Sequence, residues 1–188
     1  MKIILASASP RRKALIEGLG LLFEVYPSEV DERVKTGESP QAHTLRLALE
    51  KTKKARETFH EGWIIGADTV VVIDGRILGK PSDIEEARVM LNLLKGRTHT
   101  VFTAFCVLSA STGKRVCRVV ESRVKIKDLT GEEMEGYLTT GEPLDKAGAY
   151  AVRGIGCFMV ESVEGSYTNV VGLPMEELKD ALKRLGLL

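Results

Sequence analysis

The chain has 188 residues, of which 44% are hydrophobic and 28% charged, and its formal net charge is +1. These values are typical of a globular protein with one domain, residues 1–188. The near-neutral charge argues against a dedicated nucleic-acid binder, because such proteins are usually strongly basic. No apolar stretch approaches the roughly 20 residues of a membrane span, and no signal-peptide pattern opens the chain. We therefore expect a cytoplasmic protein with no membrane partner.

The first element is a short apolar run at residues 3–6, which predicts a buried strand. Ser9 then stands at the N-cap position of a helix, with Pro10 at its first helical position. The helix should extend to about Leu19, because glycines follow there.

Arg11 and Arg12 lie in the first turn of that helix, at the positive end of its dipole, where cations are unfavourable. A bound anion would satisfy both guanidinium groups, the free backbone amides and the hydroxyls of Ser7 and Ser9 together, and phosphate is the obvious candidate. The alternative is that both arginines are solvated and tolerate the dipole at a cost of a few tenths of a kcal/mol each.

The following elements are predicted from periodicity, capping residues and turn signals. We expect a strand over residues 21–26, a helix from Pro40 to about Phe59, a strand over 63–73, a hairpin turn at Asp74-Gly75, a helix to about Leu94, strands over about 100–109 and 115–128, a helix to about Leu138, strand and loop over 148–161, and a last helix opened by Pro174. Two capping boxes are expected, Ser82 with Glu85 and Thr130 with Glu133. Helices that interleave with both crossover and hairpin strands predict an α/β fold around a mixed, twisted sheet, and they are compatible with two lobes around a central cleft.

Asp68 lies inside a nearly continuous apolar strand, where a charged residue should be excluded. A buried carboxylate needs a cation, a metal or a proton, since an unpaired one costs several kcal/mol. It is therefore a general base, a metal ligand or a paired core residue. Gly66 and Ala67 beside it leave room for a close approach to the backbone.

Two lysines are candidate partners of this carboxylate. Pairing outward from the Asp74-Gly75 turn puts Thr69 opposite Lys80, which brings Lys80 next to Asp68 along the sheet if a bulge turns its side chain to the same face. Lys51 lies at the edge of the apolar stripe of its helix. The stripe is formed by Leu45, Ala48, Leu49, Thr52, Ala55 and Phe59. Lys80 is otherwise an edge lysine before a proline, and Lys51 is otherwise a lysine that snorkels to solvent.

Three cysteines fit neither a metal-binding spacing nor a disulfide framework. Cys106 and Cys117 flank a predicted turn and could face each other across two strands. We favour the interpretation that they are small buried hydrophobic residues.

Several ordered segments resemble the Maf family of nucleoside triphosphate pyrophosphatases, over essentially the whole chain. The matching segments are Ser7-Ala8-Ser9-Pro10-Arg11-Arg12, Glu32, Lys51, Gly66-Ala67-Asp68-Thr69, Gly79-Lys80-Pro81, Gly96-Arg97-Thr98-His99, Asp145-Lys146-Ala147-Gly148 and Val171-Gly172-Leu173-Pro174. The resemblance implies hydrolysis between the α- and β-phosphates to give the monophosphate and pyrophosphate. It also implies an elongated mixed α/β fold similar to the inosine triphosphate pyrophosphatases, and a homodimer.

The resemblance assigns roles to individual residues. It makes Asp68 the proton acceptor and places Glu32, Lys51 and Lys80 around the reacting phosphates. Ser7 and Arg12 would grip the triphosphate. The resemblance also implies a divalent metal, and the carboxylates of Glu32 and Asp68 suit Mg²⁺ or Mn²⁺, which prefer oxygen ligands.

Base selection follows from a smaller set of positions. Arg11 and Thr69 match the branch that resembles dTTP/UTP pyrophosphatases, so we expect dTTP and UTP as substrates. Arg153 stands where that branch has glutamine, and an arginine can donate to a pyrimidine carbonyl but cannot accept a hydrogen bond. The competing function is a nucleotide-binding regulator of septum formation without turnover. A P-loop phosphotransferase is excluded, since the chain has no Gly-x-x-x-x-Gly-Lys-Ser/Thr motif.

Overall fold

The computed structural model describes residues 2–188. The strands are β1 (Ile3–Ala6), β2 (Glu24–Val25), β3 (Trp63–Ile73), β4 (Arg76–Leu78), β5 (Thr98–Ser109), β6 (Arg115–Ile126) and β7 (Val160–Gly165). The α-helices are α1 (Pro10–Glu17), α2 (Pro40–Arg56), α3 (Ile84–Leu94), α4 (Gly131–Leu138), α5 (Tyr167–Val171) and α6 (Met175–Arg184). Short 3-10 turns lie at Glu142–Asp145, Ala147–Ala149 and Ile155–Met159. None of the helices in this described part of the chain is long and apolar enough to cross a membrane.

The strands form a mixed sheet, which confirms the predicted fold class. Its order is β2-β1-β3-β5-β6-β7, and β4 pairs with β3 outside this path. Strand β1 runs parallel to both β2 and β3, whereas β4 is antiparallel to β3 and β7 is antiparallel to β6.

The chain forms two compact units, and β3, β5 and β6 contribute residues to both. The first unit contains the N-terminal residues through Asp68, Thr103–Val120 and Gly172–Leu188. The second contains Thr69–Phe102 and Glu121–Val171.

In the first unit, a core forms around β1, whose residues are all buried. Ile3 and Leu5 pack in one cluster with Phe105 of β5 and with Leu178 and Leu182 of α6. Helix α1 starts as predicted, because the Ser9 hydroxyl accepts the backbone N–H of Arg12 and Pro10 occupies the first helical position. The helix ends at Glu17, two residues before the expected end.

Helix α2 lies directly against β3 at Gly66. A Cβ atom on Gly66 would stand 2.6 Å from the carbonyl oxygen of Ala48 and 2.7 Å from Cγ2 of Thr52, distances that real side chains do not tolerate. The glycine therefore lets the helix backbone approach the strand more closely than any other residue would.

The buried face of α2 differs from the predicted stripe. Its buried residues are His43, Thr44, Leu47, Ala48, Lys51, Thr52 and Ala55. Leu45 and Leu49 are only partly buried, so the face is rotated toward Lys51.

The second unit has its own core, in which Val71 of β3 packs with Leu91 of α3, Val101 of β5 and Tyr137 of α4. The Asp74-Gly75 turn forms as predicted, with both residues at positive φ, and pairs Ile73 with Arg76.

The capping signals of the second unit divide into one confirmed and one wrong prediction. Thr130 and Glu133 form the expected capping box of α4. The box of Ser82 with Glu85 is wrong, because Asp83 is the N-cap of α3 and its carboxylate accepts the backbone N–H of Glu86. The carboxylate of Glu86, rather than that of Glu85, accepts the N–H and hydroxyl of Ser82.

Two predicted strands are shorter than expected. Of residues 21–26, only Glu24 and Val25 form strand pairs with β1. Strand β1 has only four residues and so offers few partners. Leu22, before the paired residues, is 91% exposed. Much of residues 148–161 forms turns, and β7 begins only at Val160.

The preferred interpretation of two cysteines is wrong, since Cys106 and Cys117 form a disulfide between β5 and β6. These strands are neighbours in the sheet, which places the two residues opposite each other. The pair packs in a small cluster with Ala48 and Leu49 of α2. Cys157 is an exposed free thiol.

Candidate functional site

The centre of the candidate site is the ammonium group of Lys51, which joins two carboxylates. Its Nζ atom donates to Oδ1 of Asp68 at 2.7 Å and lies 2.7 Å from Oε1 of Glu32. Lys51 and Asp68 are each only 7% exposed, whereas the Glu32 side chain is 56% exposed. The buried pair therefore opens to solvent on its Glu32 side, unlike an ion pair sealed inside a core.

The local structure explains why Lys51 and Asp68 meet. Asp68 lies on β3 two residues after Gly66, and Gly66 is the point at which α2 touches that strand. Lys51 belongs to the same face of α2 as Ala48 and Thr52, which contact the glycine. Lys51 is thus directed at the strand, and the alternative that it snorkels to solvent is wrong.

Glu32 comes from the segment between β2 and α2, which has no helix or strand. Its residue type and neighbours alone did not distinguish it from the other carboxylates of that segment. The resemblance alone selected it, and the structure places it on the same ammonium group as Asp68.

Ser7 and Arg12 form a second part of the site, at the N-terminus of α1. Nη1 of Arg12 donates to Oγ of Ser7 at 3.3 Å, and the backbone N–H of Ser9 donates to the same oxygen at 3.2 Å. Nε of Arg12 donates to the carbonyl oxygen of Gly172 at 2.8 Å. Arg12 is therefore held by the protein rather than solvated. Two parts of the predicted anion site, the Arg12 guanidinium group and the Ser9 backbone amide, both donate to the Ser7 hydroxyl oxygen.

The electrostatics connect this helix terminus to the carboxylates. Burial lowers the pKa of Arg12, the Asp68 charge opposes this, the neighbouring Arg11 lowers the pKa further, and Glu32 raises it. Burial thus disfavours the charged guanidinium group, and the nearby carboxylates favour it. An anion bound beside Arg11 and Arg12 would add further negative charge next to this group.

The carbonyl of Gly172 is a contact that the sequence did not predict as part of the anion site. The segment Val171-Gly172-Leu173-Pro174 was among those that carry the resemblance, and Gly172 has a φ of 122°. A glycine two residues before the proline that opens α6 was the signal that could have indicated a backbone group turned toward another element.

Thr69, Lys80 and Arg153 belong to the second unit. Thr69 follows Asp68 directly on β3 and is half-buried, while Lys80 and Arg153 are exposed. Strand β4 ends at Leu78, so the predicted ladder pair of Thr69 with Lys80 is wrong. The roles of these three residues stay predictions.

The loop that carries Arg153 is held by hydrogen bonds to the residues that follow Arg153 in the chain. The carboxylate of Glu142 accepts the backbone N–H groups of Ile155 at 3.2 Å and of Gly156 at 2.8 Å. Gly154, between Arg153 and Ile155, has a φ of 100°, a conformation that favours glycine.

Two carboxylates are available to hold a divalent metal, those of Glu32 and Asp68. Within residues 2–188, no group of three or more His, Cys, Asp or Glu side chains is arranged to hold one. This donor set fits Mg²⁺, which usually binds through one or two carboxylates and takes its remaining ligands from water and substrate phosphates. Carboxylates also suit Mn²⁺.

Residues 2–185 match the family described as Maf-like protein. A protein of Syntrophotalea carbinolica named dTTP/UTP pyrophosphatase is 50% identical over 186 residues, covering 98% of this chain and 84% of that protein. A protein of the same name from Syntrophus aciditrophicus is 48% identical over 185 residues, covering 98% and 90%. Among solved structures, the Ham1 protein of Staphylococcus aureus matches 98% of this chain and 96% of its own with a TM-score of 0.50. It is 14% identical, so this likeness shows the fold alone.

Proposed function

This chain belongs to the Maf-like protein family, and on that premise we propose that it hydrolyses dTTP and UTP to the monophosphate and pyrophosphate. Such an activity removes these triphosphates from the nucleotide pool. The observation that carries the proposal is the Lys51 ammonium group, which holds buried Asp68 and exposed Glu32 at 2.7 Å each. A site that only bound nucleotide would have no use for a carboxylate kept inside a strand by a buried lysine.

In the proposed reaction, Asp68 accepts a proton from the attacking water. The new bond joins the water oxygen to the α-phosphorus. The bond from the α-phosphorus to the oxygen that bridges to the β-phosphate breaks, and pyrophosphate leaves with the bonding electrons. Lys51 orients the Asp68 carboxylate through its hydrogen bond and keeps positive charge beside the phosphates. Positioning and charge stabilisation supply most of the catalysis in phosphoryl transfer.

Substrate binding is proposed for the N-terminus of α1. Arg11 and Arg12 lie in the first turn of this helix, and Ser7 links Arg12 to the loop before the helix. Lys80 of the second unit is proposed to add a further positive charge to the phosphates. Glu32 and Asp68 would hold Mg²⁺ or Mn²⁺, which when bound neutralises phosphate charge.

Arg11, Thr69 and Arg153 are proposed to select the base. Arg153 is only a donor, and thymine and uracil offer only carbonyl acceptors on their exocyclic positions. Cytosine replaces one of these acceptors with an amino group, which would leave two donors facing each other. We therefore expect dTTP and UTP to be cleaved better than dCTP and CTP.

Three further points are proposed with the function. The nucleotide pool lies in the cytoplasm, so we place the protein there. The resemblance supports a homodimer, which sedimentation analysis of the purified chain would test. The net charge of +1 supports the absence of a nucleic-acid partner.

The test is a panel of common and modified triphosphates incubated with Mg²⁺ or Mn²⁺, with monophosphate and pyrophosphate quantified. We expect a preference for dTTP and UTP, and a loss of about 10²- to 10⁴-fold in kcat for Asp68→Asn, as for removal of a general base. Asp74→Asn is the matched control, since Asp74 is an exposed carboxylate in a hairpin turn that asparagine also favours.

Two results would contradict the proposal. A purine triphosphate that exceeds dTTP tenfold in kcat/KM would refute the base assignment. Nucleotide binding without cleavage of any triphosphate would refute the enzyme and favour the regulator of septum formation.

A further inference from the structure

A second ionic cluster joins α2 to the loop before it, and the proposed reaction does not use it. Nε of Arg46 donates to Oε1 of Glu38 at 2.6 Å, and Nη2 donates to Oε2 at 2.9 Å. Nη1 of Arg46 donates to Oε2 of Glu50 at 3.1 Å. The side chains of Arg46 and Glu38 are only 16% and 10% exposed. We call the bidentate pair of Arg46 and Glu38 the loop clamp.

The loop clamp holds the backbone of the segment that carries Glu32. Nη2 of Arg46 also donates to the carbonyl oxygen of Arg33, the residue after Glu32, at 3.0 Å. Oε2 of Glu38 accepts the backbone N–H of Lys35 at 3.1 Å. One guanidinium group on a helix thus fixes the loop both beside Glu32 and at Glu38.

The Glu38 end of the loop clamp is itself secured. Nδ1 of the buried His43 lies 3.1 Å from Oε2 of Glu38. Hydrogen bonds from Arg46 above all, and from Lys35 and His43, lower the pKa of Glu38 to about 2. The carboxylate therefore remains ionised at every pH at which the protein would work.

The loop that carries Glu32 has no helix or strand, and the Glu32 side chain is more than half exposed. An exposed carboxylate outside regular structure loses conformational entropy when it is held at one place, so a contact that orders its loop beforehand favours that placement. Arg46 and Lys51 lie on the same helix, which fixes the clamped loop relative to the ammonium group.

We propose that Arg46, through the loop clamp, is a positioning residue that holds Glu32 against Lys51. This inference rests on the proposed pyrophosphatase function. Arg46 acts through Glu32 and has no contact with the reacting atoms in the proposed mechanism.

The first test is a double-mutant cycle on dTTP hydrolysis. Arg46→Ala should lower kcat about tenfold to a hundredfold with little change in KM, because a carboxylate displaced by about 1 Å can cost that much. In the Glu32→Gln background the same substitution should cost less than a factor of two. An equal loss in both backgrounds would show a merely structural role and overturn the proposal.

Two further variants make this test specific. Arg46→Lys keeps the charge but loses the bidentate geometry, so its kcat should fall between those of the wild type and Arg46→Ala. It also replaces Arg46→Ala in the cycle if that variant does not fold. Arg88→Ala is the matched control, because Arg88 makes a similar bidentate pair with Glu135, both bonds 2.7 Å, in the second unit. Its kcat should equal that of the wild type.

The second test needs no activity and uses amide hydrogen exchange. The amides of Lys35 and Glu38 are hydrogen-bonded in the loop, and Arg46→Ala should accelerate their exchange at least tenfold while the central amides of α2 keep theirs. Unchanged exchange at both amides would overturn the loop clamp. A wild-type protein that cleaves no triphosphate would instead refute the proposed function, and the exchange data would still decide the clamp.

Discussion

Replacing Gly66 with alanine tests whether the contact of α2 with β3 sets the geometry of the site. The new methyl group would stand 2.6 Å from the Ala48 carbonyl oxygen and 2.7 Å from Cγ2 of Thr52. One of these contacts is backbone, so rotation of a side chain cannot relieve both. Helix α2 must instead move away from the strand by about 1 Å, as in other overpacked cores.

The expected magnitudes follow from this displacement. Overpacking of this kind costs about 1–3 kcal/mol in the free energy of unfolding. The hydrogen bond between Lys51 and Asp68, now 2.7 Å, would lengthen beyond the normal range. A shift of about 1 Å in a catalytic group can cost about a hundredfold, so we expect kcat/KM for dTTP to fall by that order.

Urea unfolding and pyrophosphate release would measure the two effects on the same preparation. Gly136→Ala is the control: Gly136 lies inside α4 with no atom within 4 Å of its Cβ position, so alanine should stabilise the protein by about 0.5–1 kcal/mol. Its kcat/KM should not change. If Gly66→Ala retained wild-type stability and wild-type kcat/KM, the reasoning about the helix–strand contact would be refuted.

Two further predictions concern buried groups. Lys51→Met leaves the buried Asp68 carboxylate without its cation, so urea unfolding should show a loss of about 3–5 kcal/mol, and adding Asp68→Asn should recover part of it; no recovery would contradict the pairing. Burial lowers the pKa of His99 to about 4, against about 6.5 in the unfolded chain, so below pH 6.5 the unfolded state binds a proton that the folded state excludes. Stability should therefore fall by up to about 3 kcal/mol between pH 6.5 and pH 4. In His99→Gln, the free energy of unfolding measured by urea titration should lack this dependence on pH. An identical pH slope in both proteins would argue against the contribution of His99.

The parts of the fold that the sequence predicted are those determined by local chemistry. The Ser9-Pro10 start of α1 and the Thr130 capping box depend on residues three positions apart. The Asp74-Gly75 turn depends on two residues that tolerate positive φ, and the bounds of β3 follow from its apolar run. None of these features needs information about distant segments.

Apart from the Ser82 capping box, which failed because the adjacent Asp83 is the N-cap, the parts that failed depend on segments far apart in sequence. Lys51 lay at the edge of the predicted stripe, and only the close approach of α2 at Gly66 buries its ammonium group on Asp68. The Cys106–Cys117 bond needed the pairing of β5 with β6, which periodicity suggests but does not establish.

The loop contacts of the site were missed for a related reason. Arg46 was not among the predicted site residues, because its partner carbonyl at Arg33 is a backbone group that no residue type reveals. The contact of Arg12 with Gly172 was not predicted for the same reason, since Arg12 binds the backbone carbonyl of that residue.

The three-segment make-up of the first unit has a consequence for how the protein is synthesised. Ile3 and Leu5 emerge first from the ribosome, yet they share a core with Leu178 and Leu182 of α6. Both segments of the second unit are synthesised before residue 172, so that unit is complete while β1 has its strand partners β2 and β3 but still lacks α6. The core of the first unit is therefore completed only when residues 172–188 dock. A chain that stopped before them would leave the face of β1 that packs on α6 uncovered.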